Sequence, residues 1–244
     1  MIQCFDIETG PLPDEKLSAM IDPFPPYQKP PPFNEKDVKL GNTKAEDKIK
    51  EKIEEARQKY ELMVAGSVEK HAADKLAYEQ EARDKAALHA HHGRVLAIGL
   101  FNETDGFWIL GNDDERQIIR DFWAWFNICL DMKNKIVGFN IFGFDLPFLV
   151  RRSWILGETI PSQLMIHDKF WSEVFLDLAK RWQCAKPNEF TSLDTVSRAL
   201  GCGQKNGDGA EFAKLWFADR KQAVEYLRND LDMTFNVAQR LGVR

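Results

Sequence analysis

The chain has 244 residues, 44% of them hydrophobic with Trp 7 and Phe 17, enough for one domain with a sizeable core plus an appendage. A net charge of -5 excludes a protein that holds nucleic acid through overall phosphate neutralisation, so any such affinity must come from a local site, from metal ions or from a local basic patch. Cys4, Cys129, Cys184 and Cys202 are scattered without C-x-x-C, the first strand starts at Met1 with no room for a signal peptide, and no apolar run reaches membrane-spanning length. The expectation is a reduced, cytoplasmic setting and no membrane partner.

Met1 to Gly10, MIQCFDIETG, reads as a buried strand that stops at Gly10-Pro11. Asp6 and Glu8 are two residues apart, and on an extended strand they point to the same face. Alone, such a pair serves equally as a turn cap or a solvated strand end. It becomes a site only when other carboxylates converge on it.

A proline-rich stretch follows, with Pro11, Pro13, Pro23, Pro25, Pro26, Pro30, Pro31 and Pro32, which is incompatible with regular helix or central strand. Interleaved Phe24, Tyr27 and Phe33 predict that it lies on another surface. From Thr43 to about Ala90 the composition turns to Lys, Glu and Ala. Ile49, Ile53, Ala56, Tyr60 and Val64 recur at helical spacing, and the pattern resumes with Val68, Ala72 and Leu76. Gly66-Ser67 predicts a break that makes an antiparallel helix pair. Residues 11–86 are thus expected to form an arm inserted between residues 1–10 and a main domain over 87–244. The arm reads as a solvated helical pair, a substrate grip or a surface for a protein partner.

Arg94 to Phe101 and Phe107 to Leu110 predict a hairpin beside the first strand. Asp113-Asp114-Glu115 opens a helix to about Met132, Lys135 to Asn140 is a fourth strand, and Leu146 to Leu156 is a helix with Pro147 in its first turn. Helix is expected at Leu176 to Trp182. A cap at Thr191-Ser192 starts another, ending at Gly201. Cys202 to Gly209 is a Gly-rich loop holding Lys205, and helices over Ala210 to Phe217 and about Asp219 to Leu241 complete the chain. Strands first and then alternation predict an α/β domain with a mixed sheet of about five strands.

Two further segments carry chemistry. Asn140 and Asp145 flank the passage from the fourth strand to its helix, and ligand sites of α/β sheets form at such carboxyl ends. Asp145 also suits a helix N-cap and Asn140 a turn. Tyr226 and Asp230 share a face of the last helix at i, i+4, beside a core stripe of Leu227 and Leu231, whereas Asp232 points away. Among weaker candidates, His89, His91 and His92 read as a surface turn, since no partner ligand accompanies them. Lys205 can reach phosphate, although its loop lacks the Gly-Lys-Ser/Thr ending of a P-loop. Arg151-Arg152 suits a nucleic-acid backbone or a solvated helix end. Asn42 and Lys44 stand at the foot of the arm, and Trp171 and Trp182 read as core.

FDIET, GFNIFGFDLPFL and YLRND in this order resemble the DEDD superfamily of 3′–5′ exonucleases, with a ribonuclease H-like fold. The Tyr-x-x-x-Asp form is similar to the tyrosine-bearing branch. The motifs look most like the proofreading exonuclease domain of family B DNA polymerases and its free-standing bacterial and phage relatives. The resemblance covers Met1 to Gly10 and about Ala87 to Arg244, and FNEKDVKLGN-x-K resembles an insertion in some of those relatives. No polymerase domain fits in the remaining length. The resemblance implies two Mg²⁺ or Mn²⁺ ions, with Asp6 bridging both, Glu8 and Asp230 completing the first site and Asp145 holding the second. It further implies that Tyr226 orients the attacking water, that Asn140 and Phe144 seat the terminal nucleotides, and that the partner is the 3′ end of single-stranded DNA. RNA as substrate, or a non-catalytic binding module built on the arm, are the competing readings.

Overall fold

The computed structural model describes residues 1–41, 45–164, 174–186 and 189–243. Asn42, Lys44 and Trp171 lie outside the described residues. The described chain forms two compact units, one of Met1–Met20 with Lys85–Arg244 and one of Ile21–Asp84. Among the described residues, no helix is long and apolar enough to cross a membrane.

The larger unit is built on a five-stranded sheet of order β3-β2-β1-β4-β5. Its strands are β1 (Ile2–Pro11), β2 (Gly93–Asn102), β3 (Gly106–Leu110), β4 (Lys135–Gly138) and β5 (Phe175–Asp177). β1 is antiparallel to β2 and parallel to β4, β2 is antiparallel to β3, and β4 is parallel to β5. The mixed sheet follows from the chain order, because a hairpin joins β2 to β3 whereas β4 and β5 are reached through helices. The fifth strand corrects the reading of Leu176 to Trp182 as helix: Phe175–Asp177 is strand and only Leu178–Trp182 is helix (α5). Three residues are too few for a period to register, and only pairing with Ile136 to Gly138 makes them a strand.

Alternation along β1 divides the core. Phe5 and Ile7 face α3 (Glu115–Asp131) and α4 (Asp145–Leu156), joining Phe122, Phe126, Leu146 and Leu149 in one cluster. Ile2 and Cys4 face α6 (Leu193–Leu200) and α8 (Arg220–Arg240), with Val196, Leu231 and Val237. A third cluster joins Leu96 and Ala97 to Phe212 and Trp216 of α7 (Phe212–Ala218) and to Ala223 and Leu227 of α8. Trp182, read as core, is half-buried at the rim of the second cluster. Arg152, by contrast, is buried; its guanidinium binds Glu115 and the Ala90 carbonyl, which makes it a strut between α3 and α4. His89, His91 and His92 form a turn before β2 in which His92 Nε2 bonds the Met20 carbonyl at 3.2 Å.

The segment after β1 begins with an element the proline content obscures, the helix α1 (Asp14–Met20), whose Leu17 is buried. It belongs to the sheet unit, so the inserted unit starts at Ile21 rather than Pro11. Inside that unit the expected helix pair is one helix, α2 (Glu46–Asp84), 39 residues long with no fully buried residue. Gly66 and Ser67 are both helical. Glycine costs only about 1 kcal/mol in a helix interior, and the Ser67 hydroxyl bonds back to the Val64 carbonyl and meets the Tyr27 hydroxyl. The partner of α2 is the extended proline strap. Phe24 packs on His71 and Tyr78, Phe33 packs on Tyr60, and Tyr60 and His71 bond the carbonyls of Pro31 and Pro25. The covered stripe runs through Ile49, Ile53, Ala56, Tyr60, Val64, Ser67, His71 and Tyr78, whereas Val68 and Leu76, placed on it by spacing, are exposed.

Candidate active site

The acidic pair sits on β1 at the end of an apolar stripe. Asp6 and Glu8 continue the face of Ile2 and Cys4 toward α8, in register with Gly99 and Ala97 of β2. Immediately after Glu8 the register shifts, with Thr9 opposite Val95, which leaves Leu96 as an extra residue on β2. Such a bulge increases local twist and re-aims neighbouring side chains. Gly99 matters for a different reason. A Cβ there would stand 2.6 Å from Leu231 and 2.8 Å from Leu227, so its absence lets α8 lie close on the strand that flanks Asp6.

That close approach brings the second motif to the first. Tyr226 and Asp230 are both buried on the same face of α8. One carboxylate oxygen from each of Asp6, Glu8 and Asp230 lies within 4.8 Å of the other two. Asp145 arrives from the opposite flank. β4 ends at Gly138, Asn140 turns the chain in the left-handed region at φ 61°, and Phe144 precedes the first turn of α4. Because β4 pairs with β1 only as far as Cys4, the Ile7 N–H has no strand partner there, and it donates to Asp145 Oδ1 at 3.1 Å. Asp145 is therefore tied to the β1 backbone at the residue between Asp6 and Glu8, yet stands outside the group of three. The sequence-predicted Asn140 and Phe144 are half-buried on the same turn, Phe144 against the Phe148 ring.

Crowding and burial disfavour the charges. The Asp6 carboxyl is held well above the usual carboxylate range by burial and then by Asp145 and Asp230, and Glu8 likewise by burial and then by Asp6 and Asp230. Burial pushes Asp145 up to about 7, against the opposing pull of the Ile7 N–H. Asp230 is raised by burial despite a cation beside it. That cation is Lys205, whose ammonium donates to Asp230 Oδ2 and to the Tyr226 hydroxyl, both at 2.8 Å. Its backbone N–H is held by Asp194. Burial works against the Lys205 charge, but Asp230 more than offsets this. Burial likewise raises Tyr226 and keeps it a neutral phenol. Lys205 thus belongs to the acidic centre itself, a closer association than a loop residue reaching for phosphate.

A hard divalent cation fits these residues. Three carboxylates share one point against their mutual repulsion, and the other oxygen of Asp230, Oδ1, is buried without a hydrogen-bond partner. An all-oxygen donor set suits Mg²⁺ or Mn²⁺ rather than a thiolate metal. One further carboxylate escaped the sequence reading. Asp177, at the end of β5, is buried and accepts N–H bonds from Asn140, Phe142, Ala179 and Lys180. An Asp directly before an apolar run is a helix-cap signal, but its reach to Asn140 depends on the β4–β5 pairing.

This sheet order, with acidic side chains gathered on β1, α4 and α8, defines a ribonuclease H-like domain of the exonuclease type. Residues 86–243 match the family described as "Predicted 3'-5' exonuclease related to the exonuclease domain of PolB", and the chain belongs to that family. No curated protein matches it in sequence. Among solved structures it is similar to the family B DNA polymerase of the hyperthermophilic archaeon Pyrobaculum calidifontis, at 22% identity and a TM-score of 0.51. The match covers 65% of this chain and 23% of the polymerase, so the likeness is one of fold over a part of that enzyme.

Proposed function

We propose that the protein is a metal-dependent 3′–5′ exonuclease that hydrolyses single-stranded DNA to nucleoside 5′-monophosphates. The observation that carries this reading is the convergence of Asp6, Glu8 and Asp230 within 4.8 Å of one another, with Asp145 held beside them by Ile7. Asp6, Glu8 and Asp230 would hold one Mg²⁺ or Mn²⁺, and Asp145 with Asp6 a second. When bound, such a pair supplies Lewis acidity and an acidified water.

The chain's own groups supply the rest. In the reaction water adds to the phosphorus of the terminal nucleotide as the bond to its neighbour's 3′-oxygen breaks; that oxygen takes up one proton to become the new 3′-hydroxyl, and the second water proton passes to solvent. The Tyr226 hydroxyl, which accepts a hydrogen bond from Lys205, would orient that water. The Lys205 ammonium balances charge at Asp230, and its third proton would serve a phosphate oxygen of the bound strand. Asn140 and Phe144 seat the terminal nucleotides, Phe144 by offering its ring to a base, an interaction of about 1–3 kcal/mol in single-strand binders. Two divalent ions in the acidic centre would explain how a chain of net charge -5 accepts a polyanion.

Incubation of 5′-labelled DNA and RNA oligonucleotides with and without Mg²⁺ tests the reading. Stepwise shortening of DNA from its 3′ end, abolished by chelator and in Asp6→Ala, is expected. Preferential loss of RNA would transfer the assignment to an exoribonuclease, and tight binding without cleavage in Mg²⁺ or Mn²⁺ would overturn it.

A further inference from the structure

The turn that carries Asn140, Phe144 and Asp145 closes on its own backbone, with the Gly143 and Phe144 N–H groups donating to the Asn140 carbonyl and the Leu146 N–H to the Ile141 carbonyl, but these bonds leave the N–H groups at 140 and 142 to be held from elsewhere. It follows a four-residue strand, passes through a left-handed residue at Asn140, and enters α4 without a side-chain cap from Phe144. Its backbone N–H groups at 140 and 142 are instead bound from outside the turn. Asp177 Oδ1 accepts from Asn140 N at 2.9 Å and Oδ2 from Phe142 N at 3.0 Å. The same Oδ1 caps α5 through Ala179 N at 2.9 Å and Lys180 N at 3.4 Å. A helix cap needs one acceptor oxygen. The second oxygen of this buried carboxylate is devoted to the turn.

We propose that Asp177 is a positioning residue for the strand-end site: its carboxylate fixes the Asn140–Phe144 turn, and through it the placement of the groups that receive the terminal nucleotides. The inference rests on the exonuclease reading for its functional consequence, not for its geometry. Asp177 touches no substrate and is not a catalytic residue. It acts by sparing the turn conformational freedom that the substrate would otherwise have to remove on binding.

Two conservative replacements separate positioning from mere capping. Asn and Ser cap helices about as well as Asp. Asp177→Ser keeps a short cap for Ala179 but cannot span to the turn, and Asp177→Asn keeps one acceptor while setting its NH₂ against the Phe142 N–H. Both proteins should therefore fold, with α5 retained. Hydrogen exchange over residues 139–144 of the full-length, metal-free protein should quicken at least about fivefold in both, the loss of a hydrogen bond of roughly 1 kcal/mol. With a DNA oligonucleotide, KM should rise about tenfold while kcat stays within about threefold, since Asp145 keeps its own hold on the Ile7 N–H and only the seating of the terminal nucleotides is loosened. Unchanged exchange in the turn of both variants, or full restoration of KM by Ser, would reduce Asp177 to a helix cap and overturn the proposal. A wild-type protein that cleaves nothing would remove the exonuclease reading, while the exchange measurement would still decide what Asp177 holds.

Discussion

The two units bury apolar surface in opposite ways. In the sheet unit, alternation along β1 sends Phe5 and Ile7 to one side and Ile2 and Cys4 to the other, and both sides close into fully buried clusters. In the Ile21–Asp84 unit a 39-residue helix has no fully buried residue and is held along one stripe by rings and carbonyls of a proline strap. The first arrangement can hold buried carboxylates against their repulsion, because its packing energy far exceeds what the acids cost. The second has no such reserve. Its helix draws on local hydrogen bonds and one half-buried stripe instead of a closed core.

Breaking the acidic centre should produce the largest effects. Asp6→Ala removes one of the three carboxylates that converge, and nuclease activity should fall by at least about 10³-fold, read as single-turnover cleavage of an oligonucleotide. Tyr226→Phe should lower kcat by about 10- to 100-fold and leave Mn²⁺ affinity, read by electron paramagnetic resonance, unchanged. Loss of Mn²⁺ binding instead would make the tyrosine structural.

A smaller effect concerns stability. Burial raises Asp145 from 3.8 to about 7, so between these values the folded protein keeps a proton the unfolded chain has released. Stability must then fall as pH rises through that window. Asp145→Asn mimics the protonated acid. In metal-free buffer it should match wild type near pH 4 and exceed it by up to a few kcal/mol at pH 7.5, a gap that Mg²⁺ should close. Equal urea midpoints at both pH values would mean that Asp145 is not buried as a charge.

The smallest effects test the arm. A Cβ at Gly66 meets nothing within 4 Å, so Gly66→Ala should slow hydrogen exchange across α2 by the equivalent of about 0.4–1 kcal/mol. Excision of Ile21–Asp84 with a short linker should leave the thermal midpoint of the sheet unit within about 3 °C. Its two ends are anchored independently, Met20 by His92 and Ala86 by complete burial. Unfolding of the shortened chain would show that the arm contributes to the core.

The acids could be read in advance because each is placed by local rules: Asp6 and Glu8 by the two-residue period of a strand, Tyr226 and Asp230 by the four-residue return of a helix, Asp145 by its position after a strand. The joint order of these motifs also carried the fold. What failed did so for want of long-range information. Gly66-Ser67 reads as a break, and the strap that steadies it lies about 40 residues away. Phe175–Asp177 is a strand only because β4 pairs with it, and without that pairing Asp177 is an ordinary helix cap.

By itself, the sequence determined which residues carry charge and on which face of its own element each one stands, because backbone geometry repeats every two or 3.6 residues whatever surrounds it. The tertiary structure alone decided which faces meet. It drew α8 onto the bare backbone of Gly99, set Lys205 between Tyr226 and Asp230, left Asp145 just outside the trio of acids, and gave Asp177 a turn to hold. Those distances depend on packing between segments far apart in the chain, which no local period records.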